Sequence, residues 1–81
     1  MTRKRKKVLV LTCDHFDGDD KEFSKIVKEF CELDGRYRFD LAYELEAAPS
    51  SLVRWGQGVS YPRKEIMEYA VKAIKKILAK K

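Results

Sequence analysis

The chain has 81 residues, of which 44% are hydrophobic and 38% charged, and its formal net charge is +5. This length fits one domain, residues 1–81, and excludes a second core. No apolar run approaches the roughly 20 residues that a membrane-spanning helix needs, and two cysteines are too few for a disulfide framework. The basic N-terminus lacks the small residues of a signal-peptide cleavage site, so we expect a cytoplasmic protein. We also expect a monomer with no membrane partner.

The positive charge is concentrated at the two ends of the chain. Residues 1–6 are expected to be a flexible basic tail, and the first block comprises Arg3, Lys4, Arg5, Lys6 and Lys7. The second block comprises Lys72, Lys75, Lys76, Lys80 and Lys81. Such blocks can bind nucleic-acid phosphates through counterion release, although solvated ends that aid solubility are commoner.

The first half of the chain predicts a strand followed by a helix. Lys7–Cys13 is a β-branched and aliphatic run without alternation, typical of a strand covered on both faces. Asp19 or Asp20 can cap the helix that follows, and Gly35 can end it in the left-handed conformation. Within Lys21–Leu33 the apolar residues recur at helical spacing: Phe23, Ile26, Val27, Phe30 and Cys31.

The second half predicts three strands and a closing helix. Tyr37–Leu45 alternates apolar and polar residues with a period of two. Ser51–Trp55 and Val59–Tyr61 flank Gly56-Gln57-Gly58, which is typical of a hairpin turn. Pro62 suits the first position of the last helix.

These elements together predict an α/β fold of β-α-β-β-β-α order. The strand, helix and strand at the start form a right-handed βαβ unit with parallel strands. We therefore expect a sandwich of two helices on a four-stranded mixed sheet with strand order 2-1-3-4. The unalternated first strand lies in the middle of that sheet.

The pattern resembles a thioredoxin-like fold, and within it the short selenoprotein W-like redox proteins. Cys13 stands where the family has the first cysteine of its motif, and Ala48-Pro49-Ser50 resembles the cis-proline element that faces the thiol. The segment from Leu52 to Val59 is similar to the family's strand, glycine turn and strand. Phe16 replaces the second cysteine, so the resemblance implies a single-thiol protein in which Cys13 binds or exchanges with a protein thiol or a small thiol.

Cys13 is the best candidate for chemistry, because it ends the predicted central strand just before a helix start that could lower a thiol pKa. The four carboxylates that follow it oppose a thiolate, and the alternative is a buried small side chain. His15 and Phe16 would line the thiol site, whereas Cys31 is expected in the core. The loop of Cys13, His15 and the aspartates matches neither a calcium nor a zinc pattern, so we expect no metal and no cofactor.

Trp55, with Arg54, Tyr61 and Arg63 nearby, predicts a surface that could stack on single-stranded nucleic acid, although an aromatic in a small sheet is more often core. No complete catalytic motif is found. Three hypotheses stay open: a single-thiol redox or thiol-binding protein, a basic module that binds nucleic acid or an acidic protein, and a natural or designed chain that folds without an evolved activity.

Overall fold

All regular structure in the part of the chain that the computed structural model describes is helical. The model describes residues 2 to 79, with side chains from Lys6 to Ala79. The five helices are α1 (Thr2–Asp14), α2 (Asp20–Leu33), α3 (Tyr37–Leu45), α4 (Pro49–Gln57) and α5 (Lys64–Ala79). The predicted α/β sandwich, its four-stranded sheet and its 2-1-3-4 order are therefore wrong. The resemblance to thioredoxin-like proteins is wrong with them, since that fold is built on a sheet.

The predicted central strand, Lys7–Cys13, lies inside α1. An unalternated apolar run fits a buried strand and a helix equally well, so its periodicity does not decide between them. In the helix, Leu9 and Cys13 are one turn apart and both are buried, while Val8 and Leu11 point outward. Residues 2–6, expected to be a flexible tail, belong to the same helix.

The alternating segment Tyr37–Leu45, predicted as a strand, is α3. Its apolar residues also satisfy a helical spacing, because Tyr37, Leu41 and Leu45 follow one another at four-residue intervals. Tyr37 and Leu41 are buried, whereas Phe39 and Tyr43 are exposed. The apparent alternation therefore arises because one helix carries two apolar faces, one buried and one exposed.

The predicted hairpin around Gly56-Gln57-Gly58 is the end of α4. Pro49 occupies the first turn of that helix, where its missing N–H costs no hydrogen bond, and the Ala48–Pro49 peptide bond is trans. Gly58 ends the helix in the left-handed conformation, with φ at 74°. Val59–Tyr61 belongs to the loop that leads to α5.

The predicted helix over Lys21–Leu33 is confirmed as α2. The Asp19 side chain caps it by accepting a hydrogen bond from the Glu22 backbone N–H at 3.1 Å. The expected left-handed Gly35 is wrong, because the chain leaves the helix through an extended Asp34 and the φ of Gly35 is not positive.

Helix α2 is the centre of the fold and contacts each of the other four helices. Its buried stripe consists of Phe23, Ile26, Val27 and Phe30, none of which exposes any surface. The Phe30 ring stacks on Tyr37 of α3 with centroids 4.8 Å apart. Among residues 2–79, no helix is both long and apolar enough to cross a membrane.

Leu41 and Tyr43 distinguish a strand from a helix over Tyr37–Leu45. In a strand their side chains would share one face, whereas in a helix they lie on different faces. Leu41 is fully buried and Tyr43 is 84% exposed. We therefore expect Leu41→Ala to lower the free energy of unfolding by about 2 to 5 kcal/mol and Tyr43→Ala to change it by less than about 0.5 kcal/mol. Chemical denaturation followed by far-UV circular dichroism measures both. Equal losses would contradict the helix.

Candidate nucleic-acid interface

Helices α3 and α4 are short, with nine residues each, and a tight turn of Glu46, Ala47 and Ala48 joins them. Glu46 adopts the left-handed conformation, with φ at 53° and ψ at 38°. The backbone N–H groups of Glu46 and Ala47 donate to the carbonyls of Tyr43 and Ala42, at 3.2 and 2.9 Å. Because the last carbonyls of α3 are satisfied within the turn, the chain can reverse direction and begin α4 at once.

Each of the two helices keeps one face in the core. α3 buries Leu41 and Ala42, and α4 buries Leu52 and Trp55 three residues apart. The two helices also contact each other. Their relative placement is therefore set by packing on both sides of the turn rather than by the turn alone.

The C-terminal half of α4 is anchored on α2. The Trp55 ring lies 5.9 Å from the ring of Phe23, and the Ser24 hydroxyl donates a hydrogen bond to the Gly56 carbonyl at 3.0 Å. Gly56 lies so close to α2 that an added β-carbon would stand 3.5 Å from the Lys28 Cα. These contacts hold α4 in one orientation on the central helix of the fold.

The opposite face of α4 is open to solvent and polar. Ser50, Val53, Arg54 and Gln57 are exposed and follow one another at the spacing of a single helical face. Among the residues whose side chains are described, none of these four side chains takes part in a hydrogen bond or an ion pair. Their donors and acceptors are available to a ligand.

The segment that contains this face carries positive charge and no acidic residue. From Pro49 to Lys64 the sequence contains Arg54, Arg63 and Lys64 and no aspartate or glutamate. On α2, the exposed Lys21 and Lys28 flank Ser24, the residue that contacts Gly56. Cations of this kind attract a polyanion from several directions around the same face.

The structure does not bring Cys13 and Pro49 together. α4 begins at Pro49 and, within the described residues, makes no contact with α1, which carries Cys13. Cys13 is buried, and this burial raises the pKa of its thiol to about 11 against a partial opposing effect of Lys75. A thiolate is therefore scarce near neutral pH, and the catalytic role of Cys13 stays a prediction without geometric support.

The other predicted site residues are dispersed. His15 is exposed in the turn after α1, and the half-buried Phe16 packs on Phe23 with ring centroids 6.1 Å apart. Trp55 is almost fully buried, so the expected stacking surface is not formed by its ring. Cys31 is half-buried against the core, and burial raises the pKa of its thiol as well.

The basic blocks lie away from α4. Lys6 stands over the Tyr37 ring at 5.8 Å, and Lys7 is exposed on α1. Lys72, Lys75 and Lys76 are on α5, which like α1 makes no contact with α4 in the described part of the chain. The side chains of Arg3, Lys4 and Arg5, and residues Lys80 and Lys81, lie outside what the structure describes. Within residues 2–79, no group of three or more histidine, cysteine and acidic residues could hold a metal ion.

Sequence reasoning missed the exposed face of α4 because it treated the segment as a hairpin. Two signals in the sequence mark the helix: Pro49, which suits a first turn, and Gly58, which suits a left-handed end. Arg54 was expected near a nucleic-acid surface, but together with the ring of Trp55. The helix separates the two side chains, turning one outward and the other into the core.

Comparison with known proteins finds no match among family models, curated proteins or solved structures. The function is therefore argued from the geometry and charge of the site.

Glu46 is the only residue other than glycine with positive φ in the described part of the chain. Glycine adopts this conformation without the steric cost that a β-carbon imposes, and the greater freedom of glycine in the unfolded state offsets part of the gain. We expect Glu46→Gly to raise the free energy of unfolding by about 0.5 to 1 kcal/mol, measured by urea denaturation. The matched control is Gly58→Ala, which places a β-carbon on a residue with φ at 74° and should destabilise the fold. An unstable Glu46→Gly variant would contradict the turn.

The raised pKa of Cys13 predicts a loss of stability at alkaline pH. The folded state favours the neutral thiol, so this contribution is complete below the ordinary pKa of 9.0 and is lost as pH rises through the folded value of about 11. We expect denaturation midpoints to fall over this range, and to fall less steeply in Cys13→Ala than in the wild-type protein. Alkylation of Cys13 at about pH 8 should require denaturant. Rapid labelling of the folded protein would contradict the buried thiol.

Proposed function

We propose that the protein binds double-stranded DNA by placing α4 in the major groove. The observation that carries this proposal is the exposed, unpaired polar face of α4, presented by a tight turn from α3. Two short helices joined by a three-residue turn resemble the helix-turn-helix unit, in which the second helix reads the bases. The resemblance concerns the geometry of the unit, and the chemistry of the face has to support it independently.

A single exposed helix favours duplex DNA over the other nucleic acids. The major groove of B-form DNA is about 12 Å wide and admits an α-helix, whereas the deep major groove of A-form RNA is too narrow for side chains to read. Single strands are bound through exposed aromatic platforms. Trp55 cannot serve as one, because its ring is buried against Phe23, and the exposed rings of Phe39, Tyr43 and Tyr69 lie on α3 and α5 rather than on the α4 face.

The side chains on the α4 face have the chemistry of base readout. The Arg54 guanidinium can donate two hydrogen bonds to the O6 and N7 of one guanine. The Gln57 amide can pair in the same bidentate way with adenine, the Ser50 hydroxyl can donate or accept, and Val53 can contact a thymine methyl group. This set can distinguish base pairs rather than only bind phosphates.

The surrounding cations support the same orientation. With α4 in the groove, Arg63 and Lys64 follow it in the chain and Lys28 lies beside Gly56, so they would stand near the flanking phosphates. Such contacts position a protein on the duplex and make its affinity depend on salt. The stretch from Pro49 to Lys64 contains no acidic residue, which avoids repulsion at the helix that would enter the groove.

The decisive variant is Arg54→Lys, which keeps the charge and removes the bidentate donor geometry. Duplexes selected from a random library by the wild-type protein supply the specific site, and fluorescence anisotropy measures affinity for that duplex and for a scrambled one. We expect Arg54→Lys to weaken specific binding by about 5-fold to 100-fold, since one bidentate contact contributes about 1 to 3 kcal/mol. Binding to the scrambled duplex should change by less than about 2-fold.

Lys72→Ala is the control for loss of one positive charge on a helix that does not contact α4. It should leave the preference for the selected duplex intact. If no sequence is enriched, or if Arg54→Lys retains full specificity, the assignment of α4 is wrong. If binding is lost on mutation of Lys6 and Lys7 instead, the nucleic acid binds the basic block of α1.

A further inference from the structure

A shallow open groove of about 690 Å³ runs between α1 and α5. Its lining combines apolar and cationic side chains: Val10, Leu11, Leu78 and Ala79, with Lys6, Lys7, Lys75 and Lys76. None of these residues belongs to the α4 face. The groove is therefore a second surface, built from the first and last helices.

The apolar floor of this groove is partly exposed. Leu11 is 58% exposed and Val10 is half-buried, whereas Leu78 is buried. A chain of 81 residues has little apolar surface to spare, because a small domain buries a smaller fraction of its surface than a large one. An exposed leucine on the floor of a groove offers apolar contact to a second molecule.

The rim of the groove is positive and only partly neutralised. Asp14 pairs with Lys75, and Glu44 lies 4.0 Å from Lys76. The Lys75 and Lys76 side chains nevertheless remain 40% and 62% exposed, and each ammonium has three donors, so each can accept a second anionic partner. Lys7 is exposed and has no ion pair within the described side chains.

We propose that this groove binds an acidic amphipathic helix of a partner protein. An apolar stripe on such a helix would cover Leu11 and Val10, and carboxylates on its flanks would meet Lys7 and Lys76. A third helix laid along two neighbouring ones is the usual way in which a helical groove is filled. An open groove cannot enclose a small ligand as completely as most small-molecule sites do.

Charge disfavours the other occupants. A second copy of the chain would bring the lysines of one groove toward those of the other. The residues that precede and follow the groove in the sequence, Arg3, Lys4 and Arg5 before it and Lys80 and Lys81 after it, are also basic. A partner with the opposite charge is needed, and the apolar floor requires it to be amphipathic.

This inference does not rest on DNA binding. α4 contacts α2 and α3 but neither α1 nor α5 in the described part of the chain, so the groove stays open whether or not α4 is occupied. DNA on the α4 face and a partner helix in the groove can therefore be bound at the same time. A failure at either one leaves the other proposal standing.

The test uses the full chain and a displayed library of peptides with leucine, isoleucine or phenylalanine varied on one helical face and glutamate fixed on its flanks. Enriched peptides are titrated by fluorescence anisotropy beside twins in which lysine replaces glutamate. We expect the acidic peptides to bind at least about 10-fold more tightly than their twins, with an affinity that falls as salt rises. Lys76→Glu should weaken acidic peptides about 10-fold and improve binding of the twins.

Leu11→Ala and Val59→Ala form a matched pair, since both remove an exposed apolar side chain, 58% and 70% exposed respectively. Leu11→Ala should weaken the peptide about 3-fold to 10-fold, and Val59→Ala, in the loop after α4, should not. Equal effects, no enriched acidic peptide, or equal binding of the twins would overturn the proposal. So would tight binding to anionic lipid vesicles that the peptide does not displace, or self-association that depends on Leu11.

Discussion

The burial of one apolar stripe on α2 is the constraint on which the whole structure depends. Phe23, Ile26, Val27 and Phe30 expose no surface, and the helix that carries them contacts every other helix. A small chain has marginal stability, and the removal of apolar side chains such as this stripe from water is the main favourable contribution to its folding. The other four helices are short or moderate in length, and helices of this size are weakly stable until a tertiary partner covers their apolar faces.

The same packing positions the candidate interface. Phe23 holds Trp55, and Ser24 one residue later holds the Gly56 carbonyl, so two adjacent residues of α2 orient α4 from its buried side. Once that side is held, the exposed side is determined by the helical repeat, and Arg54 and Gln57 point outward together. A site built on a rigid helix in this way retains its geometry better than a site on a loop.

The two proposed surfaces divide the molecule by charge and chemistry. The α4 face offers separate hydrogen-bonding groups among cations, which suits the edges of bases and the phosphates around them. The α1–α5 groove offers apolar contact with cations at its margin, which suits an amphipathic acidic helix. Because α4 touches neither α1 nor α5 among the described residues, the two surfaces lie on separate parts of the fold.

The sequence by itself determined α2, its aspartate cap and its buried stripe, because a single 3.6-residue period over Lys21–Leu33 has no competing interpretation. It also predicted the closing helix, which is α5 and begins at Lys64 rather than at Pro62. It did not determine the class of the other three elements. Tyr37–Leu45 fits both the period of a strand and the period of a helix. Lys7–Cys13 is a continuous apolar run that does not distinguish the two. Contact with α2 and α5 therefore decided that both segments are helices. Arg54 was visible as a basic residue in a candidate surface, but its separation from Trp55 depends on α4 being a helix. Tertiary packing decides that α4 is a helix, since a nine-residue segment is too short for its own backbone hydrogen bonds to keep it helical in water.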